Sequence, residues 1–169
     1  MLLETAMQMA TTAPQTANMS SNITHYMGLL MDNQPWNLFL FMAIPVILAE
    51  ALTVSEFFVI FSRLYDGPLR EANKWIGSVL GVYFLGVFLY LTIFVVPSIQ
   101  WRGIIDILAV GFYLSGVIFL FSITLTELGI LGKGYTKENR MKLHFILLAG
   151  FLVVAHIAMI FGMANPTLI

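Results

Sequence analysis

Ionisable side chains inside apolar segments are the residues of this sequence most able to carry chemistry. Glu50 lies about 13 residues into the first apolar segment, roughly 20 Å from its start by helical rise. His156 lies in the last apolar segment, in the stretch "VVAHIAMIFGM", about 12 Å from its end by the same measure. An ionisable group near the bilayer centre costs at least about 2.5–3.5 kcal/mol, so its presence indicates a function.

These two residues predict a buried polar site. The first and last helices adjoin when an up-down bundle closes, so Glu50 and His156 are expected to face one another. Asp106, near the start of the third segment, would line the way out of this site. A carboxylate beside an imidazole can hold a proton or a cation, and the prediction is an ion or proton site formed by Glu50, His156 and Asp106. Hydrogen bonding of a neutral Glu50 to a neighbouring helix is the alternative.

Methionines accompany two of the histidines at helical spacing. Met159 and Met163 follow His156 at i+3 and i+7. Thioether and imidazole ligands suit Cu(I), and a His/Met pair suits haem iron, so copper and haem are the candidate cofactors. Ordinary core packing of methionine is the alternative. The predicted metal ligands are His156, Met159 and Met163 at one end of the chain and His25, Met27 and Met31 at the other.

The third apolar segment carries a stripe of residues at seven-residue steps, which places them on one face of a helix: Asp106, Tyr113, Leu120 and Glu127. This face should point into a bundle, although carboxylates at the two ends can also reach water. Glu56 lies toward the end of the first segment and His144 lies at the start of the fourth. Solvation at the membrane interface is the simplest explanation for both. Together with the stripe they predict a secondary polar path of Glu56, His144, Tyr113 and Glu127.

The elements that must position these residues are long apolar helices. Of the 169 residues, 59% are hydrophobic and 10% are charged, and soluble domains carry about 25% charged residues. Segments 37–63, 73–99, 103–131 and 142–164 each exceed the ~20 residues that cross a bilayer. Their short connections predict an all-α integral membrane protein, an up-down four-helix bundle spanning 37–169. Residues 1–20 are predicted to be a disordered extracytoplasmic tail and residues 21–36 an interfacial segment that can form a turn of helix.

The distribution of Lys and Arg predicts the orientation of the bundle. The first and third loops and the helix ends beside them carry every Lys and Arg except Arg102. The positive-inside rule therefore places these two loops in the cytoplasm and both termini outside. Pro45 is expected to free a backbone carbonyl near Phe41. The Gly77-x3-Gly81 step permits close helix approach, within the bundle or between protomers.

Composition and motifs also exclude several classes of protein. The chain has no cysteine, and its formal net charge of -1 without a basic run gives no indication of nucleic-acid binding. It lacks a Walker loop, a dinucleotide fingerprint and the HExxH motif, so a hydrolase or nucleotide-driven pump is not expected. Enzymatic activity is accordingly the less favoured interpretation.

Two stretches of the sequence carry a resemblance to known proteins. "MGLLMDNQPWNLFLFMAIPVILAE" and "VVAHIAMIFGM" resemble small bacterial four-helix membrane proteins that bear at most a permease-like label. The resemblance covers about residues 25–165, implies four spans and transport, and transfers no site residue. The leading hypothesis is permease-like handling of a proton, metal cation or small solute by a chain that oligomerises or joins a membrane complex. The alternatives are a haem- or quinone-associated subunit of an electron-transfer complex and a non-catalytic accessory subunit.

Overall fold

A computed structural model of the protein describes residues 23–166, and within them the chain is helical with no β-strand. The predicted tail, residues 1–20, lies outside the described residues. A short helix lies within the predicted interfacial segment, followed by four long helices. These are α1 (His25–Met31), α2 (Trp36–Ser62), α3 (Pro68–Ser98), α4 (Ile104–Glu127) and α5 (Lys137–Met163).

Helices α2 to α5 are each long and apolar enough to cross a membrane. Each contacts the next along the chain, and α2 also contacts α5, so the four spans close into a bundle. Because the links between them are short, consecutive spans run in opposite directions. We call the side that holds α1 and the 99–103 link the terminal end, and the side that holds links 63–67 and 128–136 the loop end. The predicted all-α architecture, with four helices able to span a membrane, is confirmed within the described residues.

The helices extend beyond the apolar segments at the loop end because local signals begin them there. Pro68 occupies the first turn of α3, where its missing N–H costs nothing. The Thr136 hydroxyl caps α5 by accepting a hydrogen bond from the Asn139 N–H at 3.2 Å. The chain after α4 reverses through Gly129, whose φ of 73° favours glycine. Both α3 and α5 therefore carry polar first turns that lie outside their apolar segments.

Two spans contain a widened π-helical turn just before a proline. The turn Phe39–Ala43 precedes Pro45 in α2, and Leu91–Val95 precedes Pro97 in α3. Proline lacks an N–H and its ring crowds the carbonyl four residues back, and the wider turn accommodates both effects. The carbonyl predicted to be freed near Phe41 accepts a hydrogen bond from the Tyr113 hydroxyl at 2.5 Å. The kink-prone segment is thus tied to the middle of α4.

The core contains a layer of fully buried leucines, one from each span, which we call the leucine layer: Leu52, Leu80, Leu120 and Leu148. Close contact between α3 and α4 depends on Gly81. A Cβ at this position would lie 2.2 Å from Thr124 Oγ1 and 2.4 Å from the Leu120 carbonyl oxygen. The glycine step of α3 therefore serves packing within the bundle.

Candidate functional site

Four ionisable side chains from four different spans meet at the loop end of the bundle. This loop-end cluster comprises Glu56 of α2, Arg70 of α3, Glu127 of α4 and His144 of α5. The side chains of Glu56 and His144 are fully buried, and those of Glu127 and Arg70 are 3% and 14% exposed. Such a concentration of ionisable groups inside a membrane protein marks a functional candidate.

The imidazole of His144 lies between two carboxylates. Its Nδ1 contacts Glu56 Oε1, and its Nε2 lies 3.5 Å from Glu127 Oε1. The same Glu127 oxygen accepts a hydrogen bond from Arg70 Nη2 at 2.6 Å. The four groups therefore form one continuous chain, in which Glu127 has a guanidinium partner. Among the described residues, Glu56 has only the imidazole.

Buried polar atoms without directed hydrogen bonds are concentrated in this cluster. Neither oxygen of Glu56 and neither ring nitrogen of His144 has a hydrogen bond of normal geometry within the described part of the chain. The contact between the two groups is close but poorly aligned. Because buried polar groups are normally satisfied, such atoms need an explanation beyond packing.

Helix α3 supplies the space and part of the polar lining. A Cβ on Gly77 would lie 3.0 Å from His144 Cε1 and 3.1 Å from Nε2, so the absence of a side chain makes room for the ring. Asn73, one turn earlier, is 2% exposed and accepts a hydrogen bond from the Ser55 hydroxyl at 2.9 Å. The roles of Arg70 and Asn73 were not predicted from the sequence. Arg70, Asn73 and Gly77 are separated by three and then four positions, which places them on one face of α3. This spacing is the sequence pattern that could have indicated their shared role.

A second polar cluster lies at the terminal end. Asp106 is fully buried there, with Oδ2 at 2.5 Å from the Nδ1 of His25 and Oδ1 at 2.7 Å from the backbone N–H of the same residue. Asp106 and Glu127 are 21 positions apart on α4, which corresponds to about 31 Å along the helix. The two polar clusters therefore occupy opposite ends of the bundle.

Beside this terminal-end cluster, the ring of Tyr26 packs against Tyr113, with centroids 5.1 Å apart. Burial raises the pKa of Tyr26 to about 12. Tyr26 therefore stays protonated and uncharged at physiological pH, and with Tyr113 it belongs to the hydrophobic core beside this cluster.

The structure corrects the expectation that the end carboxylates reach water. Asp106 and Glu127 are both buried, as the inward stripe on α4 requires, and each has a partner from another element. Glu56 and His144 were also expected to be solvated at the interface, and this is wrong because they bury each other. Tyr113 of the predicted polar path is buried but belongs to neither cluster.

The predicted buried Glu50–His156 pair is wrong. Both side chains are exposed on the outer surface of the single chain, and the ring Nδ1 of His156 lies 2.6 Å from the carbonyl of Leu152 on its own helix. Helices α2 and α5 do adjoin as predicted. The inward faces of these helices present Glu56 and His144 instead. The chemical roles assigned to Glu50 and His156 stay predictions.

The predicted metal ligands are not gathered into an acidic or histidine-rich centre. Across residues 23–166, no group of three or more His, Asp or Glu side chains could hold a metal ion. The Nδ1 of His25 contacts Asp106, and Met31 and Met163 are 50% and 74% exposed. Met27 and Met159 are partly buried. Copper or haem binding by these residues stays a prediction.

Comparison with known proteins assigns the chain to a family. A family of unknown function, DUF6803, matches residues 21–169, and the chain belongs to this family. No curated protein and no solved structure matches the chain. The match covers all four spans and both polar clusters.

Proposed function

We propose that this member of the DUF6803 family is a small permease-like membrane protein that handles protons at the loop-end cluster. The observation that carries the proposal is the position of the His144 imidazole between two buried carboxylates, Glu56 and Glu127. Imidazole can accept a proton at one nitrogen while it releases one from the other. The arrangement is therefore suited to pass a proton between the two carboxylates.

The environment of Glu56 requires a bound proton. A lone carboxylate in an apolar interior is strongly unfavourable unless it is neutralised or paired. Because His144 is its one partner among the described residues, Glu56 is either protonated itself or paired with a protonated imidazole. Both states hold one proton. The cluster thus binds a proton as part of its folded state.

The cluster suits a proton better than a metal cation or an organic solute. The imidazole already occupies the space between the two carboxylates, so a larger cation would have to displace it. On the terminal-end side of the cluster, the leucine layer fills the middle of the bundle. Translocation across the whole membrane would require this layer to open, and the widened turns and prolines of α2 and α3 are the elements able to bend.

The proposed orientation places the loop end in the cytoplasm and both termini outside, in a bacterial inner membrane. All Lys and Arg residues except Arg102 lie in the two loop-end links or in the helix ends beside them, which supports this orientation by the positive-inside rule. The loop-end cluster would then exchange protons with the cytoplasm. Asp106 and His25 would face the outside.

An accessory subunit of a larger membrane complex, or a homo-oligomer, is the second candidate. It is favoured by the exposure of Glu50 and His156 on helices that cross the membrane. Polar side chains on such a surface are stabilised by a polar partner on another helix. In this alternative the loop-end cluster holds the four spans together and exchanges no proton.

Proton flux into liposomes distinguishes the two candidates. The protein would be reconstituted with a pH-sensitive dye inside, and a pH gradient imposed with a potassium diffusion potential. Wild-type protein should acidify the lumen faster than empty liposomes, and Glu56→Gln and His144→Gln should reduce the rate to that of empty liposomes. Glu50→Gln is the matched control, since it makes the same change at an exposed position of the same helix, and should keep the wild-type rate. An inactive wild type, or a fully active Glu56→Gln variant, would show that the proposal is wrong.

A further inference from the structure

The outer face formed by α2 and α5 carries an acidic and a basic side chain. Glu50 of α2 and His156 of α5 are both exposed, although they lie in helices that are able to cross a membrane. Across residues 23–166 the Glu50 carboxyl has no hydrogen bond or ion pair, and the His156 ring bonds only to its own helix. An ionisable side chain that faces lipid is costly unless another group supports it. These two positions therefore indicate a partner outside the single chain.

Contacts within the bundle show toward which neighbour Glu50 is turned. On α2, the Ser55 hydroxyl reaches Asn73 of α3, whereas the next residue, Glu56, contacts α5. One step along α2 therefore turns a side chain from the α3 side to the α5 side. At about 100° per residue, Glu50 is rotated by about 120° from Glu56 in the same sense. Glu50 consequently lies on the outside of α2, on the flank next to α5.

His156 occupies the corresponding position on α5. Phe161 points toward α4, where its ring stacks with that of Phe112 with centroids 6.1 Å apart. Phe161 is rotated from the inward-facing His144 by about 100°, and His156 is rotated by about 120° in the opposite sense, toward α2. Glu50 and His156 therefore flank the same groove between α2 and α5. We call this surface the α2–α5 face, and exposed residues at i, i+3 and i+7 of each helix form it: Ile47, Glu50 and Val54, with Val153, His156 and Ile160.

The α2–α5 face is complementary to itself. It carries one acid and one base, so a second copy of the same face supplies a partner for each. A two-fold axis along the membrane normal keeps both copies in the same orientation and places α2 of one protomer opposite α5 of its partner. Glu50 then meets the partner's His156, and His156 meets the partner's Glu50. A different protein would have to present both groups at the same spacing, whereas a second copy does so by symmetry.

The heights of the two residues in the membrane allow this pairing. Glu56 and His144 are in contact and define one level. Glu50 lies six residues and His156 twelve residues from that level toward the terminal end, a difference in height of about 9 Å by helical rise. Side chains lean toward the N-terminus of their helix, which is the terminal end for α2 and the loop end for α5. The two side chains therefore lean toward each other, and extended glutamate and histidine side chains with a hydrogen bond of about 2.8 Å between them span about 12 Å.

The ring of His156 is already turned toward this meeting point. Its Nδ1 lies 2.6 Å from the carbonyl oxygen of Leu152, one turn closer to the loop end. A carbonyl oxygen only accepts, so Nδ1 donates and carries a proton. Nε2 is then the nitrogen that shares a proton with the partner's Glu50, as an acceptor from the carboxylic acid or as a donor to the carboxylate. Both forms of the pair leave no net charge in the lipid.

We propose that the α2–α5 face is the interface of a two-fold homodimer in the bilayer, joined by two identical Glu50–His156 pairs between protomers. Lipid covers the apolar residues of this face as well as a second helix does, so the polar pairs determine the partner and its register. The loop-end cluster lies inside each bundle, so the dimer is compatible with either candidate function. Association and proton flux are separate measurements, and each proposal can fail without the other.

Energy transfer between labelled copies in liposomes measures the dimer. The chain has no cysteine, so Lys133→Cys in a loop-end link accepts one dye per copy. Donor and acceptor copies, mixed at a series of protein-to-lipid ratios, should show saturable energy transfer that unlabelled protein competes away. Glu50→Ala and His156→Ala should each weaken dimerisation by about tenfold, or about 1.4 kcal/mol, because each removes both symmetric pairs. In dilute detergent micelles the protomers separate, so unfolding there reports on the single bundle.

An exchange of the two ionisable groups tests the pairing itself. Glu50→His alone places histidine against histidine in the dimer, and His156→Glu alone places glutamate against glutamate, so each variant should dimerise weakly. A mixture of the two variants restores a glutamate–histidine pair at both contacts. Donor-labelled Glu50→His protein should therefore associate with acceptor-labelled His156→Glu protein with nearly wild-type affinity. Mixing would not repair a folding defect in either variant.

Matched tryptophan substitutions locate the interface. Val153 and Val79 are similarly exposed, at 59% and 63%, but Val153 lies on the α2–α5 face and Val79 lies on α3. Val153→Trp should weaken dimerisation, and Val79→Trp should leave it unchanged. The proposal is overturned if wild-type protein shows no saturable energy transfer, if Glu50→Ala dimerises as wild type does, or if the mixed variants stay apart. Loss of dimerisation in Val79→Trp with normal dimerisation in Val153→Trp would place the interface on another face and would also overturn it.

Discussion

Helix α2 carries two glutamates and helix α5 carries two histidines. In each pair, one side chain is buried and the other is exposed. Glu56 and His144 are fully buried and in contact, whereas Glu50 and His156 are exposed on the outside of the bundle. Six residues separate the two glutamates and twelve separate the two histidines. At about 100° per residue, each separation rotates the side chain by about 120° from its counterpart. The inward face of each helix therefore presents one residue of its pair, and the other residue lies outside that face.

The comparison shows that depth in the membrane and direction around a helix are independent properties. Glu50 is the deeper of the two glutamates, and depth made it the stronger candidate by sequence. The structure nevertheless buries Glu56, because that position faces α5 at the level of His144 and Arg70. An ionisable residue is accommodated inside a bundle where other helices supply its partners.

The largest expected difference between the two environments is in stability. Glu56→Ala should lower the free energy of unfolding by about 3–5 kcal/mol, because it removes one partner of a buried pair. Glu50→Ala should not lower it, because Glu50 lies on the outside of the bundle and an ionisable side chain at that depth is itself costly in a membrane. Reversible unfolding in mixed detergent micelles measures both. If the Glu50 variant were the less stable of the two, the assignment of inward and outward faces would be incorrect.

The same contrast applies to glycines on α3, with a smaller effect. Gly81→Ala should destabilise the protein by about 1–3 kcal/mol, because the added Cβ would overlap Thr124 and the backbone of Leu120. A Cβ added at Gly86 would have no neighbouring atom within 4 Å. Gly86→Ala should therefore be neutral or stabilise the helix by up to about 1 kcal/mol. Thermal unfolding of the two variants side by side provides the comparison. Equal melting temperatures would contradict the close approach of α3 and α4.

The smallest expected difference concerns tyrosine hydroxyls. Tyr113→Phe should cost about 1–2 kcal/mol, since it leaves the buried Phe41 carbonyl without its donor. Tyr90 is 49% exposed, and its hydroxyl has no hydrogen-bond partner in the described part of the chain. Tyr90→Phe should therefore be close to neutral. Chemical unfolding with both variants measures the difference, and a Tyr113 variant as stable as wild type would show that the freed carbonyl finds another donor.

The sequence predicted the architecture because the membrane constrains it strongly. Length and apolarity were sufficient to locate four spans, and short links were sufficient to make them antiparallel. The free carbonyl at Phe41 was also predictable, since the geometry of Pro45 requires it.

The site was not predictable to the same degree, because the spans are apolar on every side. A helix that is hydrophobic all round does not reveal its inward face, so Glu50 and Glu56 could not be separated by pattern. Arg70 was taken only as a marker of orientation, although its burial beside Glu127 completes the cluster. The pairing of His25 with Asp106 depends on α1 folding back over α4, which no local pattern indicates.

The widened turns in α2 and α3 have a consequence for how these spans tolerate changes in length. A π-helical turn contains one residue more than the α-helical path it replaces, so the residues before it are rotated relative to those after it. Losing one residue from Phe39–Ala43 would restore a regular turn and leave Glu56 facing His144. Losing one residue between that turn and Glu56 would instead rotate the terminal part of α2 by about 100° relative to Glu56. Helix length is therefore adjustable at the terminal ends of these spans and fixed where the carboxylates and the imidazole meet.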